Sequence, residues 1–277
     1  MTYPQPGQPP GAGKSKAPVI VGVLAIVVVV VATVLIALLV PGRGDVEGVA
    51  SAGSSEPSTT KRATTSRKPT TSSGAPAGSG ATKACEYKPA SGGQSKNVGT
   101  PRDADKVAVT GAVRVTLKTS EGDIPMTLGR EKAPCAVNSF LFLAEMKFYD
   151  GTKCHRLTTS DSLKVLQCGD PSGTGSGGPG YEYASENPKD LTPTSQGAVT
   201  YPAGTVAVAN AGPDTNGSQF FLVYGASTIP PDYPVLGTFD ASGKEVLDKV
   251  AAGGVADGGP DGGPKVPITI AQVSPTG

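Results

Sequence analysis

Residues 206–221, VAVANAGPDTNGSQFF, decide how this chain is read. Val206, Val208 and Asn210 alternate with Ala207, Ala209 and Ala211. Small residues at every second position describe a strand with one face open to close approach by a ligand. Gly212, Pro213, Asp214, Asn216 and Gly217 then supply the fixed or positive φ angles of a turn. Gln219, Phe220, Phe221, Leu222 and Val223 resume as a second strand. The result is a polar turn bracketed by a pocket-like wall.

Working outward, the surrounding residues read as strands with two helices. Val113, Val115 and Leu117 alternate with Arg114, Thr116 and Lys118, Glu121-Gly122 turns the chain, and Ile124, Met126 and Leu128 return it as a hairpin. Pro134 suits a first helical position, and Val137, Phe140, Leu141 and Ala144 repeat at helical spacing as far as about Met146. Val246, Leu247, Val250 and Ala251 make a second helical stripe, stopped by Gly253-Gly254. Val266, Ile268 and Ile270 alternate as a last strand.

The 206–221 run resembles the signature of the cyclophilin-type peptidyl-prolyl isomerases. A second run, Cys154-His155-Arg156-Leu157 followed by Leu166-Gln167-Cys168-Gly169-Asp170, resembles that family's other active-site hairpin. The resemblance covers roughly residues 105–273 and does not reach the first hundred. It implies a mainly β domain over 85–277, a closed antiparallel β-barrel capped by two helices. It also implies cis/trans isomerisation of prolyl bonds in polypeptides, with no cofactor or metal.

On that reading Arg156 is directed at the prolyl nitrogen, Phe221 floors a pocket for the proline ring, and Val165 and Ala209 line it. Asn210 offers backbone groups to the residue before the proline, and Gln167 and Gln219 hydrogen-bond Arg156 and the substrate. Ile229 and Tyr233 fall near positions where the family often has a tryptophan and a histidine. Lys164, or with a shift Leu163, stands where a pocket phenylalanine is usual. These departures alter the rim of the site, so modest activity and weak affinity for cyclosporin-type inhibitors are expected. The alternative is a binding module or chaperone that holds proline-containing segments with little turnover.

Other chemistries find less support. His155 is the only histidine, and beside Arg156 on a strand it is read as structural. No GxSxG marks an activated serine. Gly173–Gly178 fits GxGxxG, but Pro179-Gly180 follows instead of a helix, so it reads as a loop rather than a nucleotide site. Asn216-Gly217-Ser218 is a glycosylation sequon inside the pocket motif and is expected to stay bare.

The N-terminal part has a different character. Residues 1–18 are a Pro/Gln/Gly tail with no means of packing a core. Residues 19–40 contain no charge, and a helix of that length spans about 33 Å, enough for a hydrocarbon core of about 30 Å. Lys14 and Lys16 precede the span, which places the N-terminus in the cytoplasm and the rest of the chain outside. Residues 41–84 are rich in Ser, Thr, Gly, Ala and Pro and read as a disordered stalk.

Charge divides at the same boundary. Residues 1–84 carry 8 Lys/Arg and 3 Asp/Glu of the chain's 24 and 23, leaving 16 basic against 20 acidic residues for the domain. That balance shows no nucleic-acid footprint, and a monomer is expected. Cys85, Cys135, Cys154 and Cys168 all lie on the outer side, where up to two disulfides form with three possible pairings. Cys154 and Cys168 fall on opposite faces of a regular hairpin, so that pair is not favoured. With no CxxC and one histidine the set does not suit zinc.

Overall fold

The computed structural model describes residues 80–92, 96–194 and 197–276. The expected tail, the apolar segment 19–40 and all but the end of the 41–84 stalk lie outside the described residues. Among the described residues no helix is long and apolar enough to cross a membrane. Among the described residues, Thr82–Lys83, just before the expected boundary at 85, pairs as a strand with Val107–Ala108.

Among the described residues five strands precede a helix: β1 (Thr82–Lys83), β2 (Tyr87–Pro89), β3 (Val107–Ala108), β4 (Ala112–Thr119) and β5 (Gly122–Gly129), then α1 (Pro134–Glu145). β6 (Arg156–Thr158), β7 (Lys164–Cys168), β8 (Tyr181–Tyr183), β9 (Thr192–Pro193) and β10 (Val199–Tyr201) follow. Next come β11 (Thr205–Val208), β12 (Phe220–Gly225), β13 (Ser227–Ile229), β14 (Val235–Phe239) and α2 (Ala241–Gly253). β15 (Asp261–Gly262) and β16 (Ile270–Pro275) end the order.

Among the described residues the main sheet runs β15-β6-β7-β12-β11-β14-β5-β4-β16, each neighbour antiparallel to the next. It is a half-barrel, and the closed barrel expected from the sequence is corrected. Across the seam runs only an isolated bridge, Lys153 to Thr269, with local backbone bonds such as Cys154 N to Ile268 O at 3.0 Å. Pro267, next to this bridge, lacks the N–H donor a continuous ladder needs, and the last strand starts at Ile270 rather than Val266.

The β4–β5 hairpin has the expected register, with Leu117 opposite Ile124 and Val115 opposite Met126. All four are buried in the main core. Helix α1 buries Val137 and Phe140 as read, but Leu143 completes its inner face while Leu141 and Ala144 lie at the flank. Leu247 and Val250 of α2 reach the same core, and Asp240 caps that helix by accepting from Gly243 N at 3.0 Å.

The segment around β1 and β2 is a strap fastened to α1. No side chain local to α1 caps its N-terminus; instead Glu186 Oε2 accepts from the Cys135 and Ala136 amides at 2.9 and 3.1 Å, an anion at the positive end of the helix. The other oxygen of Glu186 meets Lys83 Nζ at 2.9 Å. Cys85 is disulfide-bonded to Cys135, and Tyr87 Oη donates to the Cys135 carbonyl at 2.9 Å.

The second disulfide joins Cys154 to Cys168, the pair disfavoured from the sequence. That expectation assumed a regular hairpin, but the β6–β7 ladder pairs only Arg156 with Gln167 and Leu157 with Leu166. Cys154 precedes it and bonds to the Ile268 carbonyl instead. Its side chain is therefore free to turn into the core that Cys168 occupies.

The Cys85–Cys135 bond closes a separation of 50 residues, and such a cross-link restricts the unfolded chain strongly. Replacing both cysteines by serine is expected to lower unfolding free energy by about 3 kcal/mol in denaturant titration. An unchanged midpoint overturns the assignment of the strap as a stabilising clamp.

Candidate functional site

The site follows from ladder register. β6 and β7 pair Arg156 with Gln167, β7 and β12 pair Gln167 with Phe221, and β12 and β11 pair Phe221 with Ala207. Residues directly opposite in antiparallel ladders share a face. These four side chains therefore form one row across four strands. The neighbouring residue Phe220 must point the other way, and it does: it is 1% exposed and packs on Phe140 and Tyr149 with centroids 5.3 and 5.6 Å away.

Phe221 is 5% exposed and belongs to a second apolar cluster with Val165, Tyr201, Ala207 and Val235. Tyr233 stands edge-on to the Phe221 ring at 5.6 Å, and Ala209 and Ile229 are half-buried at the margin. Tyr201 donates from its hydroxyl to the Tyr233 carbonyl at 3.0 Å, which fixes that margin. The expected pocket residues Val165, Ala209, Ile229 and Tyr233 are thus brought together around Phe221.

The polar residues form one directed chain. Asp261 accepts from Arg156 Nε and Nη2, both at 2.7 Å. Arg156 Nη1 donates to Gln167 Oε1 at 3.2 Å, and Gln167 Nε2 donates to Gln219 Oε1 at 2.8 Å. Gln219 Nε2 donates in turn to the Gly175 and Gly177 carbonyls at 2.9 and 3.0 Å. Each amide is oriented by its neighbour. Hydrogen bonding to Asp261 raises the Arg156 pKa above its ordinary value, and hydrogen bonding to Arg156 lowers that of Asp261.

Asn210 uses its side chain on the turn. Its Nδ2 donates to Asn216 Oδ1 at 3.0 Å and to the Asp232 carbonyl at 2.9 Å, and its Oδ1 accepts from Gly212 N at 3.2 Å. Asn216 is fully buried and donates to the Tyr183 carbonyl and to Ser185. That burial leaves no room for a glycan on the sequon. Asn210, Ala209, Gln167 and Gln219 line a cavity of about 470 Å³, whose far wall includes Ala90, Ser91 and Gly92 from the strap.

The loop at Gly173–Gly178 is organised by Asp170, which is buried and accepts from the Ser172, Thr174 and Gly175 amides at 2.7, 3.0 and 2.6 Å. Burial pushes its pKa up, but the bonds from Ser172 and the loop amides outweigh this and bring it to about 2. Carbonyls rather than amides of this loop face the site, the opposite of a phosphate cradle. At Gly169 φ is 88°, and an added Cβ meets the Ser218 carbonyl and the Phe220 ring.

His155 lies against Gly175. Both ring nitrogens are buried with no hydrogen-bond partner among the described residues, and burial lowers its pKa. It is a neutral ring beside the site. Lys164 turns away: its stem covers Gly225 and its ammonium lies 3.8 Å from Asp161. Leu163 packs on the Phe221 cluster instead, so of the two residues considered for the phenylalanine position it is the one against the pocket.

The sequence reading missed Asp261, Tyr201 and the Gly175 and Gly177 carbonyls. Asp261 sits between glycines and prolines, where no periodicity marks it. Its pairing with Thr158 places it diagonal to Arg156, within reach of a long side chain.

The fold and this row define a cyclophilin-type domain, and the chain belongs to that family. Residues 114–274, more than half of the chain, match the family described as cyclophilin type peptidyl-prolyl cis-trans isomerase/CLD. The chain is similar to the probable peptidyl-prolyl cis-trans isomerase B of Mycobacterium tuberculosis, at 49% identity over 68% of this chain and 63% of that protein. It is 48% identical to the protein of that name from Mycobacterium leprae, over 67% of this chain and 64% of that protein. The match thus spans less than two thirds of these relatives' length. A crystal structure of a Cryptosporidium parvum cyclophilin type peptidyl-prolyl cis-trans isomerase is similar at 25% identity and a TM-score of 0.50, covering 60% of this chain and 99% of that one.

Because the Asp170 pKa is depressed on folding, its contribution is full above the unfolded value of about 3.9 and is lost as pH falls toward about 2. Asp170→Asn is expected to cost about 1 to 2 kcal/mol near pH 6, after discounting for solvent around the exposed loop. The difference from wild type should shrink steadily below about pH 4. Equal stability of the two proteins at pH 6 overturns this account.

Proposed function

We propose that this chain catalyses cis/trans isomerisation of prolyl peptide bonds in polypeptide substrates. The observation that carries the reading is the row itself: a fixed guanidinium, Arg156, shares one sheet face with an apolar floor, Phe221. The family membership and the names of the relatives support it.

Rotation about a prolyl bond meets a barrier of about 18 to 20 kcal/mol, because the planar amide is stabilised by resonance. No bond to be hydrolysed and no proton to be moved is involved. In the twisted form the prolyl nitrogen is pyramidal and its lone pair is available to a donor. Arg156 donates to that lone pair, which exists in the twisted state and is delocalised in both planar ones. The interaction is therefore stronger in the transition state. A preference of about 4 kcal/mol corresponds to about a thousandfold in rate. Phe221, with Val165, Leu163 and Tyr233, holds the ring by apolar contact. Gln167, Gln219 and the backbone at Asn210 hold the preceding residue in register.

Arg156→Ala should lower the exchange rate of a short Xaa-Pro peptide by about a hundredfold or more while changing peptide affinity little. Exchange NMR on the full chain in mild detergent measures both. If the wild type binds the peptide and leaves the exchange rate at its uncatalysed value, the domain is a proline-recognition module. The aliphatic Leu163 and Ile229 at the margin favour that second reading.

The place of action is also part of the proposal. The uncharged segment 19–40 with Lys14 and Lys16 before it anchors the chain in a membrane with the domain outside, where it assists folding of exported proteins. Two disulfides fit an oxidising compartment. The full chain should sediment with membranes and resist alkaline extraction, and protease added to intact cells should reach the domain. Deletion of residues 19–40 should release it, and an equally soluble full chain refutes the anchor.

A further inference from the structure

We propose that Asp261 is the positioning residue for Arg156: its carboxylate locks the guanidinium in the orientation that presents the remaining donors to the basin floored by Phe221. This inference rests on the isomerase reading above.

Arg156 lies on the short strand β6, and its side chain is only partly covered. A guanidinium carries five N–H donors in a fixed plane. Among the described residues three are engaged: Nε and Nη2 with the two Asp261 oxygens and one Nη1 hydrogen with Gln167. The single bond to Gln167 leaves the plane free to rock about it. The bidentate bond removes that freedom, because two parallel bonds define a plane where one defines only a direction. Two donors, one on each Nη, are left for a substrate.

The backbone at Asp261 is held on both sides. It pairs with Thr158 on β6, the Pro260 carbonyl accepts from Thr159 N at 2.8 Å, and Ala256 N donates to the Gly263 carbonyl at 2.8 Å. Val255 and Pro264 form a bridge that closes the loop. The loop is packed tightly enough that a Cβ on Gly262 meets Val255 Cγ1 at 2.8 Å. The backbone that carries the carboxylate is therefore fixed, and the half-exposed carboxylate meets the arginine from it.

A carboxylate also offsets the guanidinium's charge. If that were its main effect, removing it would strengthen the field at the prolyl nitrogen and raise the rate. Positioning predicts the reverse, so the sign of one substitution separates the two.

The test uses the full chain in mild detergent, with Asp261→Asn and Asp261→Glu beside wild type. Asp261→Asn should lower the exchange rate at saturating Xaa-Pro peptide by about tenfold, with the peptide Kd unchanged within about twofold and the unfolding midpoint unchanged, because an exposed ion pair adds little stability. Asp261→Glu, which keeps the charge and the fork, should recover part of the loss. In NMR of the guanidinium, separate Nη1 and Nη2 resonances of Arg156 in wild type should merge in Asp261→Asn, as rotation about the Nε–Cζ bond is released. An Asp261→Asn protein as fast as wild type, or faster, overturns this inference alone. A wild type that does not accelerate exchange overturns the isomerase reading and this inference with it.

Discussion

The alternation of a β-strand forces Phe220 and Phe221 onto opposite faces of the sheet, and both the core and the site depend on that division. Phe220 completes the aromatic packing with Phe140 and Tyr149, while Phe221 meets Tyr233 on the other side. One strand thus closes the core and floors the site at once. A one-residue slip of β12 would exchange the two rings and lose both. The register is protected by its neighbours, since β12 lies between β7 and β11 with ladders on each side.

The polar half of the site is set by direction rather than by burial. Asp261 can only accept and Arg156 can only donate, so the orientation of Gln167 follows from Arg156 and that of Gln219 follows from Gln167. The chain ends on two glycine carbonyls, whose loop is held by the Asp170 carboxylate. A charge at each end of the chain, Asp261 at one and Asp170 beyond the loop at the other, leaves the two amides between them no freedom to flip. A glycine-rich loop becomes part of the site because its amides are bonded to Asp170.

Much of this was legible in the sequence because it is carried by local pattern. The period of two gives the strands at Val206–Val208 and Val113–Leu117 directly, although the first stops short of the expected Ala211, and Arg156, Gln167 and Phe221 stand out through the family resemblance of their motifs. What was not legible depends on pairings between distant segments. Asp261 meets Arg156 across a separation of 105 residues, in a loop of glycine and proline with no hydrophobic period. The Cys154–Cys168 bond was argued against on the geometry of a regular hairpin, and the ladder proved too short for that geometry to apply. Likewise the closed barrel implied by the family resemblance fails at a seam where Pro267 removes a donor that closure requires.

The titration behaviour of the site bears on what chemistry it suits. His155 is neutral, with burial as the main cause, and neither nitrogen is placed to pass a proton to anything described. Arg156 is a cation by its own chemistry, and hydrogen bonding to Asp261 raises its pKa further. A row with a permanent cation, two oriented amides and an apolar floor offers electrostatic stabilisation and positioning, and offers no acid or base poised near neutrality. Hydrolysis of an amide needs a nucleophile and a proton for the leaving nitrogen. Twisting an amide needs neither, only a donor that finds a lone pair in the twisted form and none in the planar one. The arrangement therefore supports the proposed rotation of a prolyl bond over its cleavage.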